Sequence, residues 1–303
     1  MNDLFENSLK EIKNKIMIVD FSALSTATFY AIFHDPQINN QDELLDFWRH
    51  TLFNSILTKK KIIKPDEIVL AIDSKSWRET FFKYYKARRK IKKQQDEIDY
   101  QFFYDASNKM IDEIKQYFPW KVIKENGCEG DDILTILAYE LHKENEIVLL
   151  SSDKDIKQLL VLNNVSFYSY RNDQFESVDN PLEYSLRLML RGDFGDDIPN
   201  ILSDSDTFIT EGKRQRQCGP KKVDKILEKG ITEFIERNKL QENWKRNKTL
   251  IELSEQTIPE NLWNNVLTQY KTYDNVKPDF INILTFLQNN NLRSLQDKIE
   301  EFF

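Results

Sequence analysis

The sequence is poor in the residues from which several kinds of active site are built. Its 303 residues include two cysteines and three histidines, and none of these stands at the spacing of a zinc site, a disulfide framework or a catalytic triad. The chain therefore lacks the residues that zinc hydrolysis and Ser–His or Cys–His catalysis require. An active site here has to be built from carboxylates.

Glycine is equally scarce. The chain has seven glycines, where an average usage of about 7% would give roughly 21. Gly127, Gly130, Gly192 and Gly195 flank two acidic clusters, and the other three lie in a basic segment. Glycine allows the backbone to approach a neighbouring group closely. The few glycines present therefore indicate positions where the backbone lies close to another group.

Long apolar runs are also missing. No run approaches the ~20 residues that span a bilayer, and the opening residues MNDLFENSLKEIKNK lack the apolar core of a signal peptide. We expect no membrane partner and a cytoplasmic location, in the host cytoplasm if the gene belongs to a phage. With 40% hydrophobic and 12% aromatic residues, the chain can bury the core of one large domain or two smaller ones.

Three short apolar runs that are present each end in aspartate. KIMIVD ends at Asp20, EIVLAID at Asp73, and EIVLLSSDKD at Asp153 and Asp155. Such runs predict buried parallel strands, and the helical patterns between them predict an α/β sheet. Ligands of these sheets bind outside the carboxyl ends of the strands. One aspartate after a strand is usually a turn residue, but its repetition over three strands favours a site.

Two further clusters place acidic residues beside glycines. The first opens the apolar helical stretch GCEGDDILTILAYEL, residues 127–141, and the second lies in the loop RGDFGDDIPN. A helix N-terminus favours each acid by about 0.3–1 kcal/mol, so the first stretch alone leaves capping and metal binding equally open. The second alone is typical of a Gly–Asp turn. The acids concerned are Glu129, Asp131, Asp132, Asp193, Asp196 and Asp197.

Together these ten carboxylates would repel one another in one cleft unless cations compensated them. Oxygen ligands without Cys or His select Mg²⁺, for which Mn²⁺ can substitute, and ten carboxylates exceed the need of one ion. Two ions about 4 Å apart stabilise attacking and leaving oxygens at phosphorus, which predicts phosphodiester hydrolysis. Haloacid-dehalogenase-like phosphatases are a rival, but their motif requires a second aspartate two residues after the first, and Ser22 stands there after Asp20.

Basic residues are concentrated in two segments of this chain, whose net charge is −7. Residues 75–93 hold nine basic residues against one acid, with five aromatic residues among them, and residues 211–230 hold seven against three. Each segment alone is typical of a solvated helix face. Beside a metal cleft, basic residues interleaved with aromatics favour binding to the backbone and bases of a nucleic acid.

Seven motifs follow one another between residue 16 and about residue 230: VDFS, AIDS, YYKARR, CEGDD, SSDKD, GDFGDD and GPKKVDKIL. In this order they resemble the 5′-nuclease (flap endonuclease) superfamily, and most closely the ribonuclease H type of T-even phages. The resemblance implies a PIN-like α/β nuclease domain with a largely parallel sheet over residues 1–190, including a basic helical arch at about 75–105. It implies a helical DNA-binding subdomain over 191–303 with a helix–hairpin–helix remnant.

The same resemblance implies an activity. A Mg²⁺-dependent, structure-specific 5′→3′ exonuclease and flap endonuclease would act on branched or nicked DNA and on RNA–DNA hybrids, as in the removal of RNA primers from the lagging strand. We expect it to act as a monomer.

Individual roles are implied as well. The first metal cluster would comprise Asp20, Asp73, Glu129 and Asp131, and the second Asp132, Asp153, Asp155, Asp193 and Asp196. Lys86 and Arg89 resemble the basic pair that polarises the scissile phosphate, and with Asp131 and Asp155 they are the predicted catalytic residues. The predicted contacts to nucleic acid are Arg78, Tyr85, Lys86, Arg88, Arg89, Lys221 and Lys222. Tyr85 would stack on the terminal nucleotide.

The sequence departs from the family pattern near the hairpin. Only Gly219-Pro220-Lys221-Lys222 remains of the Gly-rich hairpin, a polar insert at about 202–217 precedes it, and Asn200 replaces a frequent glycine. These departures argue against the potassium ion that relatives bind there. The tail, SLQDKIEEFF, leaves two interpretations open: docking on a sliding clamp or a single-stranded-DNA-binding protein, or packing of its two phenylalanines on the chain itself.

Overall fold

The central sheet positions the acidic motifs. In the computed structural model, which describes residues 12–303 except 34, 36, 37, 39, 275, 276 and 278, six strands lie in the order β3-β2-β1-β4-β5-β6. Four neighbouring pairs are parallel and β5–β6 is antiparallel, which confirms the predicted α/β class. The strands are β1 (Lys15–Asp20), β2 (Glu67–Ile72), β3 (Lys121–Lys124), β4 (Glu146–Ser151), β5 (Val165–Ser169) and β6 (Gln174–Glu176).

The register of β1 aligns the carboxyl ends of three strands. Val19 of β1 pairs with Leu70 of β2 and with Leu150 of β4. The chain moves outward from β1 to β2 and β3 and then returns to the other side of β1, so the strand order reverses between β1 and β4. Ligands of open α/β sheets bind at such a reversal, and Asp20 lies there.

Helices connect the strands and cover both faces of the sheet. The helices predicted over residues 21–33, 42–61 and 102–118 are confirmed to within a few residues, whereas the predicted opening helix lies mostly outside the described residues. Two 3₁₀ helices cover Lys154–Val161 and Ile299–Phe302. The α-helices are α1 (Phe21–Phe33), α2 (Gln41–Ile63), α3 (Arg78–Phe81), α4 (Ala87–Gln95), α5 (Tyr100–Tyr117), α6 (Gly130–Leu141), α7 (Pro181–Arg191), α8 (Pro220–Lys229), α9 (Ile231–Asn238), α10 (Gln241–Ile251), α11 (Glu260–Thr272), α12 (Phe280–Asn289) and α13 (Arg293–Gln296).

Alternate residues of β1 face two separate apolar clusters. Met17 and Val19 pack with α1, α2 and α5 on one face, and Ile16 and Ile18 pack with α6 on the other. All four side chains are at most 2% exposed. Burying a side chain of this size contributes about 1.5–3 kcal/mol, so the parallel strand is fixed in register from both sides.

The C-terminal region is helical, as predicted, and its helices pack on different parts of the molecule. α11 contributes Leu262, Trp263 and Val266 to the apolar cluster of α6, and α12 contributes Phe286 to the cluster of α1 and α2. α7–α10 and their loops surround two smaller apolar clusters, one of which also includes Phe82 and Tyr85. The amphipathic patterns of α11 and α12 predicted helices but carried no information about which surface they cover.

The insert at 202–217 is held by a buried arginine. Arg246 of α10 donates all five of its N–H groups: to Pro199 O, Asn200 O, Ser203 O, Ser205 Oγ and Asn247 Oδ1. Burial outweighs the attraction of Asp204 and lowers the pKa of Arg246 to about 10. Asn200 is itself buried and donates to the Arg216 carbonyl at 2.7 Å. The insert is therefore tied to α10 at its base.

The C-terminal tail packs against its own chain. Phe302 is fully buried, with ring centroids 5.3 Å from Phe118 and 6.1 Å from Phe53. Lys61 pairs with Glu301 at 2.5 Å. Of the two interpretations left open by the sequence, the structure supports packing, because Phe302 is not available to a sliding clamp or a single-stranded-DNA-binding protein.

Replacing Phe302 with alanine is expected to destabilise the protein by about 3–5 kcal/mol, the usual cost of truncating a buried phenylalanine. Phe303→Ala is the matched control, since its side chain is 41% exposed, and it should change the free energy of unfolding by less than about 0.5 kcal/mol. Urea unfolding of both variants measures the difference. Equal stability of the two would contradict the packing described here.

Among the described residues, no helix combines the length and the apolar character needed to span a membrane.

Candidate active site

The first part of the site lies where β1 and β2 end. Asp20, the last residue of β1, accepts hydrogen bonds from Ser151 Oγ at 2.7 Å and from the Ala23 N–H at 3.2 Å. Asp73 follows β2 and accepts from the Gly130 N–H at 2.6 Å. A Cβ at position 130 would lie 3.0 Å from Asp73 Oδ1 and 3.2 Å from Asp20 Oδ1. Glycine at the start of α6 therefore gives both carboxylates the room to pack against the helix.

The acids at the start of α6 divide between a helix cap and the cleft. The Glu129 N–H donates to Asp132 Oδ2 at 3.0 Å, so Asp132 acts as a capping residue. Asp131 instead lines the cleft between α6 and the ends of β1 and β4. Glu129 and Asp132 are three positions apart, which is the spacing of a capping box. This spacing is the feature of the sequence that indicates a capping role for Asp132.

Asp153 and Asp155 lie where the chain leaves β4 and enters its 3₁₀ helix. The Asp155 N–H donates to Asp153 Oδ1 at 2.8 Å, and the Asp153 N–H donates to Ser151 Oγ at 3.1 Å. Asp155 Oδ1 is buried and has no hydrogen-bond partner in the part of the chain that the structure describes. A buried carboxylate oxygen without a donor is costly, so this atom requires a cation or a water.

The loop after α7 brings Asp193 and Asp196 to the same place. The loop is closed by two backbone hydrogen bonds between Asp193 and Ile198, at 2.8 and 2.9 Å. Asp193 Oδ1 accepts from the Gly195 N–H at 2.6 Å. The loop begins at Gly192, whose φ of +68° lies in the region that favours glycine.

These elements form one acidic cleft from two adjoining cavities, the larger with a volume of about 440 Å³. It unites eight of the nine predicted metal ligands, which come from five separate stretches of sequence. They are Asp20, Asp73, Glu129, Asp131, Asp153, Asp155, Asp193 and Asp196.

Burial and mutual repulsion disfavour the ionised form of several carboxylates in the cleft. Burial and the neighbouring Asp73 raise the pKa of Asp20 to about 7. Burial and Asp153 raise the pKa of Asp131 and of Asp155 well above the usual range. For Glu129, burial alone would raise the pKa, but Lys86 and Arg78 outweigh it and hold it at about 2. One end of the cleft is thus neutralised by basic side chains, and the other is not.

The raised pKa values predict that the metal-free protein becomes less stable as the pH rises. The pKa of Asp20 is about 7 in the folded chain and about 3.9 in an unfolded one. Between these values the folded state binds more protons, so the free energy of unfolding falls as the pH rises. Asp131 and Asp155 act in the same direction, while Glu129, whose pKa in the unfolded chain is about 4.3, is ionised in both states above about pH 5.5.

In the presence of EDTA we expect the Tm to fall by about 4 °C or more between pH 5.5 and pH 7.5. Mg²⁺ should remove most of this loss, because a cation compensates the ionised carboxylates. Thermal unfolding at the two pH values, with EDTA and with Mg²⁺, measures both effects. A Tm that stays constant or rises with pH in EDTA would contradict the electrostatics of the cleft.

The cleft fits hard divalent cations. Its donors are all carboxylate oxygens, which Mg²⁺ and Mn²⁺ prefer, and Asp155 Oδ1 is a buried acceptor that an ion would satisfy. Within the described ranges, no three Asp, Glu, His or Cys side chains converge closely enough to enclose an ion by themselves. Mg²⁺ usually keeps several water ligands rather than entering an all-protein cage, so open spacing of the carboxylates agrees with that ion.

Two predicted site residues, Asp132 and Arg78, are bound to each other instead. The Arg78 guanidinium contacts Asp132 Oδ1 at 2.8 Å and Oδ2 at 3.0 Å, and its Nε donates to the Leu250 carbonyl at 3.1 Å. Arg78 is 3% exposed and Asp132 fully buried. The predictions that Arg78 contacts nucleic acid and that Asp132 binds a metal are therefore wrong. Arg78 joins the start of α6 to the end of α10.

Arg88, which was predicted to contact nucleic acid, is paired with the acidic loop after α7, and its side chain is 35% exposed. Its Nε donates to Asp197 Oδ1 and its backbone N–H to Asp197 Oδ2 at 2.8 Å. The guanidinium lies 3.9 Å from the Phe194 ring centroid and 4.7 Å from that of Phe208. Arg88 thus binds α4 to the loop that carries Asp193 and Asp196. Asp197, which is buried, serves this contact and not the cleft.

The stacking role predicted for Tyr85 is wrong as well. Tyr85 is 3% exposed and packs among Phe82, Met189 and Ile198. Its ring cannot reach a nucleotide, and only its hydroxyl faces the cleft.

Lys86 and Arg89 lie over the cleft, where the resemblance placed them. Lys86 Nζ contacts Glu129 Oε1 at 2.5 Å and Asp196 Oδ2 at 3.6 Å. Burial would lower the pKa of Lys86, but Asp196 and Glu129 outweigh it and raise the pKa, so the amine is charged. Arg89 pairs with Asp196 Oδ1 at 2.9 Å and is half-exposed. Both cations are therefore present beside the carboxylates and accessible from the cleft.

A second cavity, of about 460 Å³, adjoins the cleft beneath α4. We call it the chamber. Its basic lining comes from α4 and its surroundings, and its other side carries Ser22, Thr26 and Ser107, with Tyr104 at the edge. Sequence reasoning missed it because α1 and α5 contribute residues about 80 positions apart. The basic residues that line it are Lys75, Lys86, Arg89, Lys90, Lys93 and Lys124.

Lys221 and Lys222 lie in the first turn of α8, away from the cleft. Both are exposed, and Gly219 and Pro220 open the helix before them. Unpaired N–H groups at a helix start attract anions, so these two lysines are placed where a phosphate backbone could be bound.

Comparison with known proteins now adds independent information. A family profile described as the 5′-3′ exonuclease, N-terminal resolvase-like domain, matches residues 15–183. The ribonuclease H of Enterobacteria phage T4 is 28% identical over 309 residues, covering 97% of each chain. A 5′-3′ exonuclease of Buchnera aphidicola subsp. Acyrthosiphon pisum is 27% identical over 203 residues, 64% of this chain and 68% of that protein.

Solved structures show the same fold. The D15 protein of bacteriophage T5, co-crystallised with metal ions, superposes with a TM-score of 0.63 at 17% identity, covering 86% of this chain and all of that one. A D15 flap endonuclease complex with DNA and metal ions gives 0.61 at 16% identity, over 85% of this chain and all of that one. The profile, which spans more than half of this chain, decides the family. The chain belongs to the 5′-3′ exonucleases with a resolvase-like N-terminal domain and is a hydrolase of the nuclease class.

Proposed function

We propose that this protein is a Mg²⁺-dependent, structure-specific 5′→3′ exonuclease and flap endonuclease that acts on RNA–DNA hybrids and on DNA. The observation that carries the proposal is the meeting of eight carboxylates in one cleft, which Lys86 and Arg89 also line. A hydrolase of phosphodiesters needs cations to stabilise charge on the phosphate, and basic side chains to orient it. This cleft provides positions for both.

The residues of the cleft divide into two groups of ligands. Asp20, Asp73, Glu129 and Asp131 would hold one ion at the ends of β1 and β2. The other group would consist of Asp153, Asp155, Asp193 and Asp196, with Asp132 removed because Arg78 occupies it. When bound, two Mg²⁺ ions, or Mn²⁺ in their place, would activate a water and stabilise the leaving oxygen.

Lys86 and Arg89 orient the scissile phosphate. Both cations are paired with carboxylates of the cleft, and a phosphate that enters offers them a new anionic partner. Arg89 can form a bidentate contact to phosphate, whereas Lys86 acts as a point charge. Holding the phosphate in line with its attacking water lowers the entropic part of the barrier.

The surroundings of the cleft indicate how substrate approaches. A single strand with a 5′ end fits the basic chamber beneath α4, where Lys90 and Lys93 face its backbone and Tyr104 is exposed for stacking. The duplex downstream would contact Lys221 and Lys222 at the start of α8. In the related D15 structure, DNA and metal ions are bound together, which supports the combination proposed here.

The likeness to a phage ribonuclease H along nearly the whole chain supports removal of RNA primers during lagging-strand synthesis as the biological role. A monomer in the cytoplasm, or in the host cytoplasm for a phage gene, meets the needs of that role.

The test uses the purified full chain and three 5′-labelled substrates: a nicked duplex whose downstream strand begins with RNA, a duplex with a 5′ DNA flap, and linear single-stranded RNA. We expect short 5′ products from the nicked and flapped duplexes in Mg²⁺ and none in EDTA. Preference for the linear RNA would replace this proposal with a single-strand ribonuclease. Binding without cleavage in Mg²⁺ and in Mn²⁺ would show that the carboxylates have a structural purpose.

A further inference from the structure

Neither packing nor contact with substrate explains why residue 85 carries a hydroxyl. The ring is buried among Phe82, Met189, Ile198 and Leu250, and phenylalanine would fill that space equally well. A buried tyrosine hydroxyl generally requires a partner. Here it lies between two carboxylates of the cleft, 2.8 Å from Glu129 Oε2 and 3.2 Å from Asp196 Oδ2.

Glu129 and Asp196 come from unrelated parts of the fold. Glu129 precedes α6, on one side of the cleft, and Asp196 belongs to the loop after α7, on the other. Two ionised carboxylates repel each other, so donors that face both are needed to keep them together. In the described part of the chain two side chains contact both acids: Tyr85 through its hydroxyl and Lys86 through its amine.

These two donors differ in what they can do once substrate arrives. Lys86 is charged and its side chain is 22% exposed, so it can exchange its carboxylates for a phosphate. Tyr85 is neutral and enclosed by apolar side chains, and it cannot leave. Its backbone is fixed as well, because the N–H of the following residue donates to the Asp196 carbonyl at 3.0 Å.

We propose that Tyr85 is a positioning residue: its hydroxyl holds Glu129 and Asp196 in the orientation in which the cleft binds a divalent cation. This rests on the proposed function, in which both acids are metal ligands. Residues that hydrogen-bond to metal ligands fix the ligand orientation, and their loss typically costs 10–100-fold in metal affinity or activity. Tyr85 therefore acts on the reaction through the two carboxylates and without touching the substrate.

The experiment compares Tyr85→Phe with Tyr84→Phe in the full chain without nucleic acid. Tyr84 is the matched control, since it is the preceding residue and its hydroxyl makes no hydrogen bond to any described residue, while its ring contacts Phe82. Thermal unfolding is followed while Mn²⁺ or Mg²⁺ is titrated. We expect the midpoint of the metal-dependent rise in Tm to move about 10–100-fold higher in Tyr85→Phe and to stay at the wild-type value in Tyr84→Phe.

Cleavage assays add a second readout. Saturating metal should restore most of the kcat of Tyr85→Phe, and the KM for substrate should be unchanged. An unaltered metal midpoint in Tyr85→Phe, beside a clear one in the wild type, would overturn this inference and leave the proposed nuclease intact. If saturating metal did not restore kcat, Tyr85 would act on the substrate and not through the metal ligands, and the inference would be overturned. Absence of any metal-dependent rise in the wild type would overturn the proposed function together with it.

Should Tyr85→Phe have a much lower Tm in EDTA than Tyr84→Phe, a double-mutant cycle with Asp196→Asn replaces the simple comparison. If the hydroxyl acts through Asp196, the two substitutions together should raise the metal midpoint little more than Asp196→Asn alone. Independent, additive effects on the midpoint would overturn the inference.

Discussion

Replacing Asp155 with asparagine is expected to lower the turnover of cleavage by about 100- to 1000-fold, the size of effect that follows the loss of one preorganised electrostatic group. Asparagine has the same shape, so the 3₁₀ helix that begins after Asp153 should form as before. What changes is the charge on the buried Oδ1, which has no hydrogen-bond partner among the described residues. An amide oxygen there would bind a divalent cation far more weakly than a carboxylate.

Substrate binding should respond in the opposite direction to turnover. Burial and Asp153 raise the pKa of Asp155, as expected where negative charges lie close together. Removing one of them decreases the repulsion of a phosphate backbone. We therefore expect the Kd for nicked duplex, measured in Ca²⁺ or EDTA, to stay the same or to decrease. The combination of lost turnover and retained binding distinguishes a ligand of the reaction from a residue that supports the fold.

Asp112→Asn provides the control for Asp155→Asn. Asp112 lies exposed on α5, so the same chemical change there should leave both turnover and binding at wild-type values. Single-turnover cleavage of the nicked duplex in Mg²⁺ measures all three proteins. Turnover of Asp155→Asn within a few-fold of the wild type would show that Asp155 is not needed by the reaction, and the assignment of the second group of ligands would fail with it.

The position of the cleft could be predicted because its signals are local. Apolar runs that end in Asp20 and Asp73 define both a buried strand and the edge at which it stops, and parallel strands bring such edges together. Short glycine–acid stretches likewise show where backbone and carboxylates have to approach each other. These signals need only a few consecutive residues, so they remain visible in one sequence.

The partners of the site residues could not be predicted, since they depend on pairs far apart in the chain. Arg78 and Asp132 are 54 residues apart, and Arg88 and Asp197 are 109 apart. Nothing in a run of basic residues indicates which members will be buried against an acid and which will face a substrate. The basic segment therefore did not show that Arg78 and Tyr85 are buried while Lys86 and Arg89 line the cleft.

Packing of the C-terminal helices shows the same limit at the level of elements. The amphipathic pattern of α12 indicates that the helix buries one face. It does not indicate that Phe286 reaches the cluster beneath α2. A domain boundary placed where the motifs end does not tell which layer a late helix completes, because chain order does not determine it.

A single methyl group at Gly192 is expected to displace Asp193 and Asp196, two of the eight carboxylates of the cleft. A Cβ at this position would lie 2.3 Å from the Ile198 carbonyl oxygen and 2.6 Å from the Pro199 carbonyl carbon. Both are backbone atoms of the loop that carries Asp193 and Asp196, so neither can rotate away. The φ of +68° adds strain for any residue with a side chain.

Gly192→Ala is therefore expected to break the two hydrogen bonds between Asp193 and Ile198 and to destabilise the protein by more than about 2 kcal/mol, since strained backbone of this kind costs about 1–3 kcal/mol before the clash is counted. Turnover should fall by at least 100-fold in molecules that remain folded, because both acids of the loop leave the cleft. Gly219→Ala is the control: it has no positive φ and nothing within 4 Å of the added Cβ. Urea unfolding and single-turnover cleavage of the two variants test this directly, and wild-type turnover in folded Gly192→Ala would mean that the cleft works without the loop.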